Sequence, residues 1–106
     1  MSWIRIAAKS DLPGEGQAKE FIFPVGDRVV CIANVAGEYS AMDNVCIHRG
    51  GPLGQGVVEH GKVICPWHGW QYDPKTGEVG HNSGLKIAVY PLRIEGEEVF
   101  IEANSN

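Results

Sequence analysis

The sequence has no long apolar run. Nothing in it approaches the ~18 consecutive apolar residues needed to cross a bilayer. The N-terminal stretch MSWIRIAAKSDLPGEG has no basic start followed by an apolar core, and Lys9 and Asp11 come too early for a secretory leader. A cytoplasmic protein with no membrane partner is the expectation. Positive charge is also scarce: 9 Lys and Arg stand against 13 Asp and Glu, for a net charge of −4. Non-specific nucleic-acid binding needs a basic surface, so nucleic acid is excluded as a partner. Cysteine is sparse and odd in number, at three, which does not make a disulfide framework. In a chain of cytosolic character, cysteine more often serves metals or catalysis. No window shows a helical stripe uninterrupted by Gly or Pro. At 106 residues the chain has length for one core and none for a second domain, so a large multi-step enzyme is not expected.

What is present is a series of short apolar runs divided by turns. Phe21 to Val25 and Arg28 to Ala33 flank Gly26-Asp27, a two-residue hairpin signal. Val35-Ala36-Gly37 turns the chain into a strand from Glu38 to Met42. Val57 to Glu59 and Lys62 to Ile64 flank a tight turn at His60-Gly61. Asp73 to Gly77 places Pro and Gly where turn geometry wants them. Leu85 to Ile94 reads as one strand-like run, with Pro91 marking an edge or bulge. Glu95-Gly96 leads into a final half-buried strand, Glu98 to Glu102. The fold class is therefore all-β, a small sandwich or barrel of sheets. A different character holds from Asn44 to Gly84, which contains all four histidines, two of the three cysteines and most of the glycines. This region reads as an elaborated loop unit on a plain β scaffold.

Two motifs carry the chemistry: Cys46-Ile47-His48 and Cys65-Pro66-Trp67-His68. Each offers one thiolate and one imidazole, and each is followed by glycine, which lets backbone approach a bound group. Two such loops facing each other supply two sulfur and two nitrogen ligands. Three readings fit that set. Tetrahedral zinc is one, although zinc sites usually pair Cys with Cys and His with His. Copper is a second, weakened by the extra Cys. The third is a [2Fe–2S] cluster in which two Cys hold one iron and two His the other.

The C-x-H and C-x2-H motifs, with the flanks Arg49-Gly50-Gly51-Pro52-Leu53 and Gly69-Trp70-Gln71-Tyr72-Asp73, resemble the Rieske iron–sulfur family. Thr76-Gly77 and the stretch from Leu85 to Tyr90-Pro91-Leu92 are also similar to its bacterial members. The resemblance spans roughly Asp43 to Ile101. It implies a single Rieske domain over 1–106, a stack of small antiparallel sheets with a cluster-binding subdomain at about 43–84. It implies one [2Fe–2S] cluster held by Cys46, His48, Cys65 and His68. Respiratory and photosynthetic members carry a disulfide between the two loops; the corresponding positions here are Gly51 and Trp67. They also carry a Ser hydroxyl bonded to a cluster sulfide; here that position is Trp70. Tyr72 aligns with a tyrosine that bonds a ligand Cys. The second loop is also similar to that of oxygenase large subunits, whose catalytic iron domain has no room here. The chain most resembles soluble bacterial ferredoxins that feed oxygenases. The implied role is a one-electron carrier, not itself an enzyme, between a flavoprotein reductase and a terminal, ring-hydroxylating oxygenase. The alternatives are a small subunit of a larger enzyme, such as assimilatory nitrite reductase, and a structural zinc module.

The remaining candidates have plainer readings. Cys31, inside Val29-Val30-Cys31-Ile32-Ala33, reads as a small buried hydrophobe. His60 suits left-handed turn geometry, and His81 lies in a polar, solvated stretch. With His48 and His68 committed, His60 and His81 leave no two-His, one-carboxylate iron site. Trp3 reads as a core residue, and Glu95, Glu97, Glu98 and Glu102 as a solvated face. Trp67, Trp70, Pro52 and Leu53 are expected to shield the cluster from water.

A charge count sets the redox expectation. Two ferric ions, two sulfides and two thiolates sum to zero with neutral His, whereas an all-Cys cluster would carry two negative charges. Reduction of the neutral cluster is easier, and Rieske centres span roughly −150 to +300 mV. Without a Ser hydroxyl at position 70, the midpoint is expected in the low part of that span. If each ligand imidazole leaves one ring nitrogen to titrate, the midpoint falls as pH rises through the alkaline range. Potentiometry from neutral to alkaline pH checks both expectations, and a high, pH-independent midpoint contradicts them.

Overall fold

The computed structural model describes residues 3–23, 28–47, 50–67, 69–80 and 82–102. Twelve strands form three antiparallel sheets among these residues. The central sheet has the order β10-β4-β3-β2, made of β2 (Ala18–Ile22), β3 (Val29–Val35), β4 (Glu38–Asp43) and β10 (Val89–Tyr90). A three-stranded sheet, β1-β12-β11, joins β1 (Trp3–Ala8), β12 (Glu98–Glu102) and β11 (Leu92–Glu95). The third sheet runs in simple sequence order: β5 (Val57–Glu59), β6 (Lys62–Ile64), β7 (Gln71–Tyr72), β8 (Glu78–Val79) and β9 (Asn82–Lys86). The all-β expectation holds.

Strand β3 explains the layering. Successive strand side chains point to opposite faces. Val30 and Ile32 pack with Ala7, Phe21, Ala41 and Ile101, towards the three-stranded sheet. Cys31 and Ala33 pack with Met42, Leu53, Val63, Tyr72 and Val79, towards the third sheet. Both faces are covered, so β3 reads as a continuous apolar run from Val29 to Ala33 instead of an alternating one. Cys31 is the buried hydrophobe its neighbours implied; burial, then the nearby Glu20 charge, pushes its thiol pKa up to about 12.

The turns at Ala36-Gly37, His60-Gly61 and Asp73–Gly77 all join paired strands. The pairing of Phe21 with Val30 and Ile22 with Val29 fits the first hairpin, while Gly26-Asp27 lies outside the described residues. Three expectations need correction. Leu85 to Ile94 is not one strand but parts of β9, β10 and β11, one in each sheet. Ile87 N–H donates to Gly77 O, Ala88 O accepts from Asp43 N–H, and Pro91 O accepts from Glu102 N–H, so the run changes partners twice. The acidic set is not one solvated face. Glu102 is 5% exposed, whereas Glu98 and Glu95 stay at the surface, where they pair with Arg5 and Arg93. Trp3 is only half-buried, with the Arg93 guanidinium 4.4 Å over its ring.

Ala36 and Gly37 both have positive φ, at 54° and 90°, as a type I′ hairpin requires. Left-handed geometry is costly for alanine and mild for asparagine. Ala36 is exposed, so Ala36→Asn should raise unfolding free energy by about 0.5–1 kcal/mol. Urea denaturation measures this, and a lowered midpoint contradicts it.

Candidate metal centre

The two cysteine loops share one backbone frame. In the first, Cys46 N–H donates to Gly51 O at 2.9 Å and Gly50 N–H donates to Cys46 O at 2.8 Å. In the second, Cys65 N–H donates to Trp70 O at 2.8 Å and Gly69 N–H donates to Cys65 O at 3.0 Å. The donor and acceptor offsets are the same, although the histidines stand two residues after one cysteine and three after the other. Gly50 and Gly69 occupy matching places, with φ of 79° and 74°, a conformation that side chains other than glycine rarely adopt.

The loops meet. Cys46 and Cys65 are each 2% exposed and belong to the same packed cluster as Leu53, Val63 and Tyr72. Tyr72, on β7 just past the second loop, crosses to the first. Its hydroxyl lies 3.1 Å from Cys46 Sγ and accepts the Ile47 N–H at 2.9 Å. Burial, followed by the Cys46 contact, pushes the Tyr72 hydroxyl pKa up, so it stays protonated and able to donate to a thiolate. Gly51 lies tight against the other loop: a Cβ there would fall 2.8 Å from Cys65 Sγ and 3.0 Å from the Trp67 ring. By the resemblance, Gly51 and Trp67 stand where respiratory members would carry the inter-loop disulfide, and here the Trp67 ring packs against the bare backbone of Gly51.

His48 and His68 lie outside the described residues, as do Arg49 and His81. Of the four proposed ligands, the described structure brings together the two cysteines. The expected shield is partial. Leu53 is fully buried and Trp70 packs against the core, but Trp67 is 57% exposed. Ile47 is 46% exposed, so the loop tips face solvent while the sulfurs stay dry. His60 is exposed in its left-handed turn, with φ of 53°.

Sequence reasoning missed Glu20, Asn44 and Gln55. Asn44 is 5% exposed; its side chain donates to Glu20 Oε2 at 2.7 Å and accepts from Gly54 N–H at 2.6 Å. Gln55 donates to Glu20 Oε1 at 3.1 Å. The structure pairs Glu20 with Cys31, so it stands on the face of β2 that looks towards the third sheet.

The donor set suits the cluster that the resemblance implies. Two soft thiol ligands converge from separate loops in a dry place, with a hydroxyl donor on one sulfur and a bare glycine beside the other. Tyr72→Phe removes the donor to Cys46 and the acceptor for Ile47. Stability should fall by about 1–2 kcal/mol, and the midpoint should drop, because an unbonded thiolate carries more charge. Urea denaturation and potentiometry measure the two effects; an unchanged midpoint contradicts the role given to Tyr72.

Comparison with known proteins agrees with this chemistry. The family model for the Rieske [2Fe-2S] domain matches residues 2–91. Apoptosis-inducing factor 3 from Homo sapiens is 34% identical over 90 residues, which are 84% of this chain but 14% of that protein's length. The ferredoxin component of the 2,4-dinitrotoluene dioxygenase system of Burkholderia sp. (strain RASC) is 30% identical over 102 residues, covering 95% of each chain. The structure of Sphingomonas yanoikuyae B1 ferredoxin matches with a TM-score of 0.82 at 25% identity, over 95% of this chain and 98% of that one. With its paired loops, buried thiols and layered sheets, the chain belongs to the Rieske [2Fe-2S] family, whose cofactor is one [2Fe–2S] cluster.

Proposed function

We propose that this chain is a one-electron carrier, with no substrate turnover of its own, in which Cys46, His48, Cys65 and His68 hold the cluster. Residues 1–106 then act as a single domain whose cluster-bearing part is about 43–84. When bound, the cluster supplies one reversible electron. The chain's own residues do the rest. The buried thiols of Cys46 and Cys65 hold their ligand atoms out of water. Tyr72 donates to Cys46 and moderates its charge. Leu53 and Trp70 pack beneath the loops.

The observation that carries this reading is the contrast between dry sulfurs and wet tips. Cys46 and Cys65 are 2% exposed, while Ile47 and Trp67, one and two residues further on, are 46% and 57% exposed. Such a centre lies one residue from the surface, within reach of another protein. A groove of about 610 Å³ lies away from the described cysteine-loop residues, between Tyr39, Pro74, Lys75, Tyr90 and Leu92.

The full-length match to a dioxygenase-system ferredoxin component supports the partner assignment. A flavoprotein reductase donates the electron and a terminal oxygenase, ring-hydroxylating in type, accepts it, all in the cytoplasm. The test is anaerobic purification followed by reconstitution. Two irons and two acid-labile sulfides per chain are expected, with a one-electron titration and product formation by a ring-hydroxylating oxygenase only when reductase and this protein are both present. Cys46→Ser and His68→Ala should each abolish transfer. An iron-free or zinc-loaded chain, or oxygenase turnover indifferent to this protein, overturns the reading.

A further inference from the structure

The two cysteine loops share a backbone frame but not an anchor. The second continues a regular hairpin: Val63 pairs with Tyr72, Ile64 with Gln71, and Cys65 N–H then reaches Trp70 O. Its cysteine is carried by sheet hydrogen bonds from both sides. The first loop belongs to none of the three sheets. Its backbone is zipped on itself, by Leu53 N–H to Asn44 O at 2.7 Å, by the Val45–Pro52 bridge, and by Cys46 N–H to Gly51 O, with Tyr72 reaching its far end at Cys46 and Ile47. Something outside it has to fix the base of that zipper.

Glu20 is placed to do so. Cross-strand partners share a sheet face, and Glu20 is paired with Cys31, whose side chain faces the third sheet. A carboxylate at an inward position needs donors. It has two, Asn44 Nδ2 and Gln55 Nε2, on opposite sides of the loop base. Asn44 in turn holds Gly54 N–H, so one side chain ties β2 to both ends of the first loop. The fit leaves no slack: a Cβ on Gly54 would fall 2.5 Å from Glu20 Cγ and 2.8 Å from Asn44 Oδ1.

We propose that Glu20 is a positioning residue for the cluster: through Asn44 it fixes the base of the first loop and hence the place of Cys46 beside Cys65. This rests on the reading that both cysteines are cluster ligands. The mechanism is hydrogen bonding and not charge, because the carboxylate acts as a two-point acceptor. A glutamine keeps the acceptor for Asn44, and exposed Gln55 can turn its amide to match.

The test compares the cluster-loaded parent with Glu20→Ala and Glu20→Gln. Hydrogen–deuterium exchange over residues 44–56 reads the clamp, decay of the visible colour under an iron chelator reads cluster retention, and the electron paramagnetic resonance line positions of the reduced protein read ligand geometry. For Glu20→Ala, exchange in that segment should quicken at least tenfold, colour should decay at least fivefold faster, and the lines should move. Glu20→Gln should stay within twofold of the parent on both rates and keep its line positions. If Glu20→Ala does not fold, Asn44→Asp keeps the acceptor for Gly54 but sets two carboxylates face to face, and the same loosening is expected. Parent-like exchange in Glu20→Ala, or in Asn44→Asp where that variant stands in, overturns the proposal. So does a Glu20→Gln as perturbed as Glu20→Ala. A parent free of iron and sulfide would defeat the ligand assignment instead, while the exchange comparison would still read the clamp.

Discussion

Two thiols 19 positions apart in the chain have to reach one dry point, and the rest of the molecule is arranged around that requirement. Neither loop buries its sulfur alone. Gly51 of the first loop sits against Cys65 of the second, and Tyr72 from behind the second loop reaches Cys46 of the first. Each loop is part of the other's wall. The shared backbone frame, closed by a left-handed glycine in both, presents each cysteine at the start of a tight turn. The two backbone turns are of equal length, although in the sequence the histidines stand at different offsets from their cysteines. Spacing in the sequence and spacing in the frame are therefore different quantities here.

Small size makes the sheet stacking necessary. A chain of this length has few residues with which to exclude water, and a single two-layer core would leave the loop unit without a floor. Using both faces of one strand solves this. Val30 and Ile32 serve one layer, Cys31 and Ala33 the other. The stretch from β9 to β11 then stitches the three sheets together, and the Tyr90 hydroxyl contributes by meeting both Asp43 and Arg28. Burial, then the Asp43 contact, pushes the Tyr90 pKa up to about 12, so this link does not titrate near neutral pH.

Much of this was legible in the sequence, and the failures have physical causes. The two cysteine loops and the tight hairpins were readable because their signals are local: glycine at left-handed positions, asparagine and aspartate in turns, alternation between them. Strand β1 was missed because Trp3 to Ala8 has no turn signal before it and pairs with β12, from the far end of the chain. The run from Leu85 to Ile94 misled because β propensity says that residues are extended, not which sheet they join. Glu102 misled because charge ordinarily means exposure, while this residue is buried where β12 pairs with β1 and its backbone N–H meets Pro91 O. Glu20 could have been found from alternation along β2 once its pairing with β3 was assumed. Its role could not, because Asn44 and Gln55 are brought to it only by the fold.

The same arrangement reconciles two demands that pull against each other in the proposed carrier. Low exposure of the sulfurs protects the ligands and strengthens the hydrogen bond from Tyr72, since electrostatic interactions gain where water is excluded. Contact with a partner asks for the opposite, a centre close to the surface. A long loop folded over the thiols would satisfy the first demand and defeat the second. Here the covering is thin on one side and deep on the other. Beneath the sulfurs lie Leu53, Val63 and Tyr72, all fully buried, while beyond them Ile47 and Trp67 stand partly in solvent. A thin cover has little packing of its own to hold it in place. Its position has to come from below, from the sheet ladder under Cys65 and from the Glu20–Asn44 contact under Cys46.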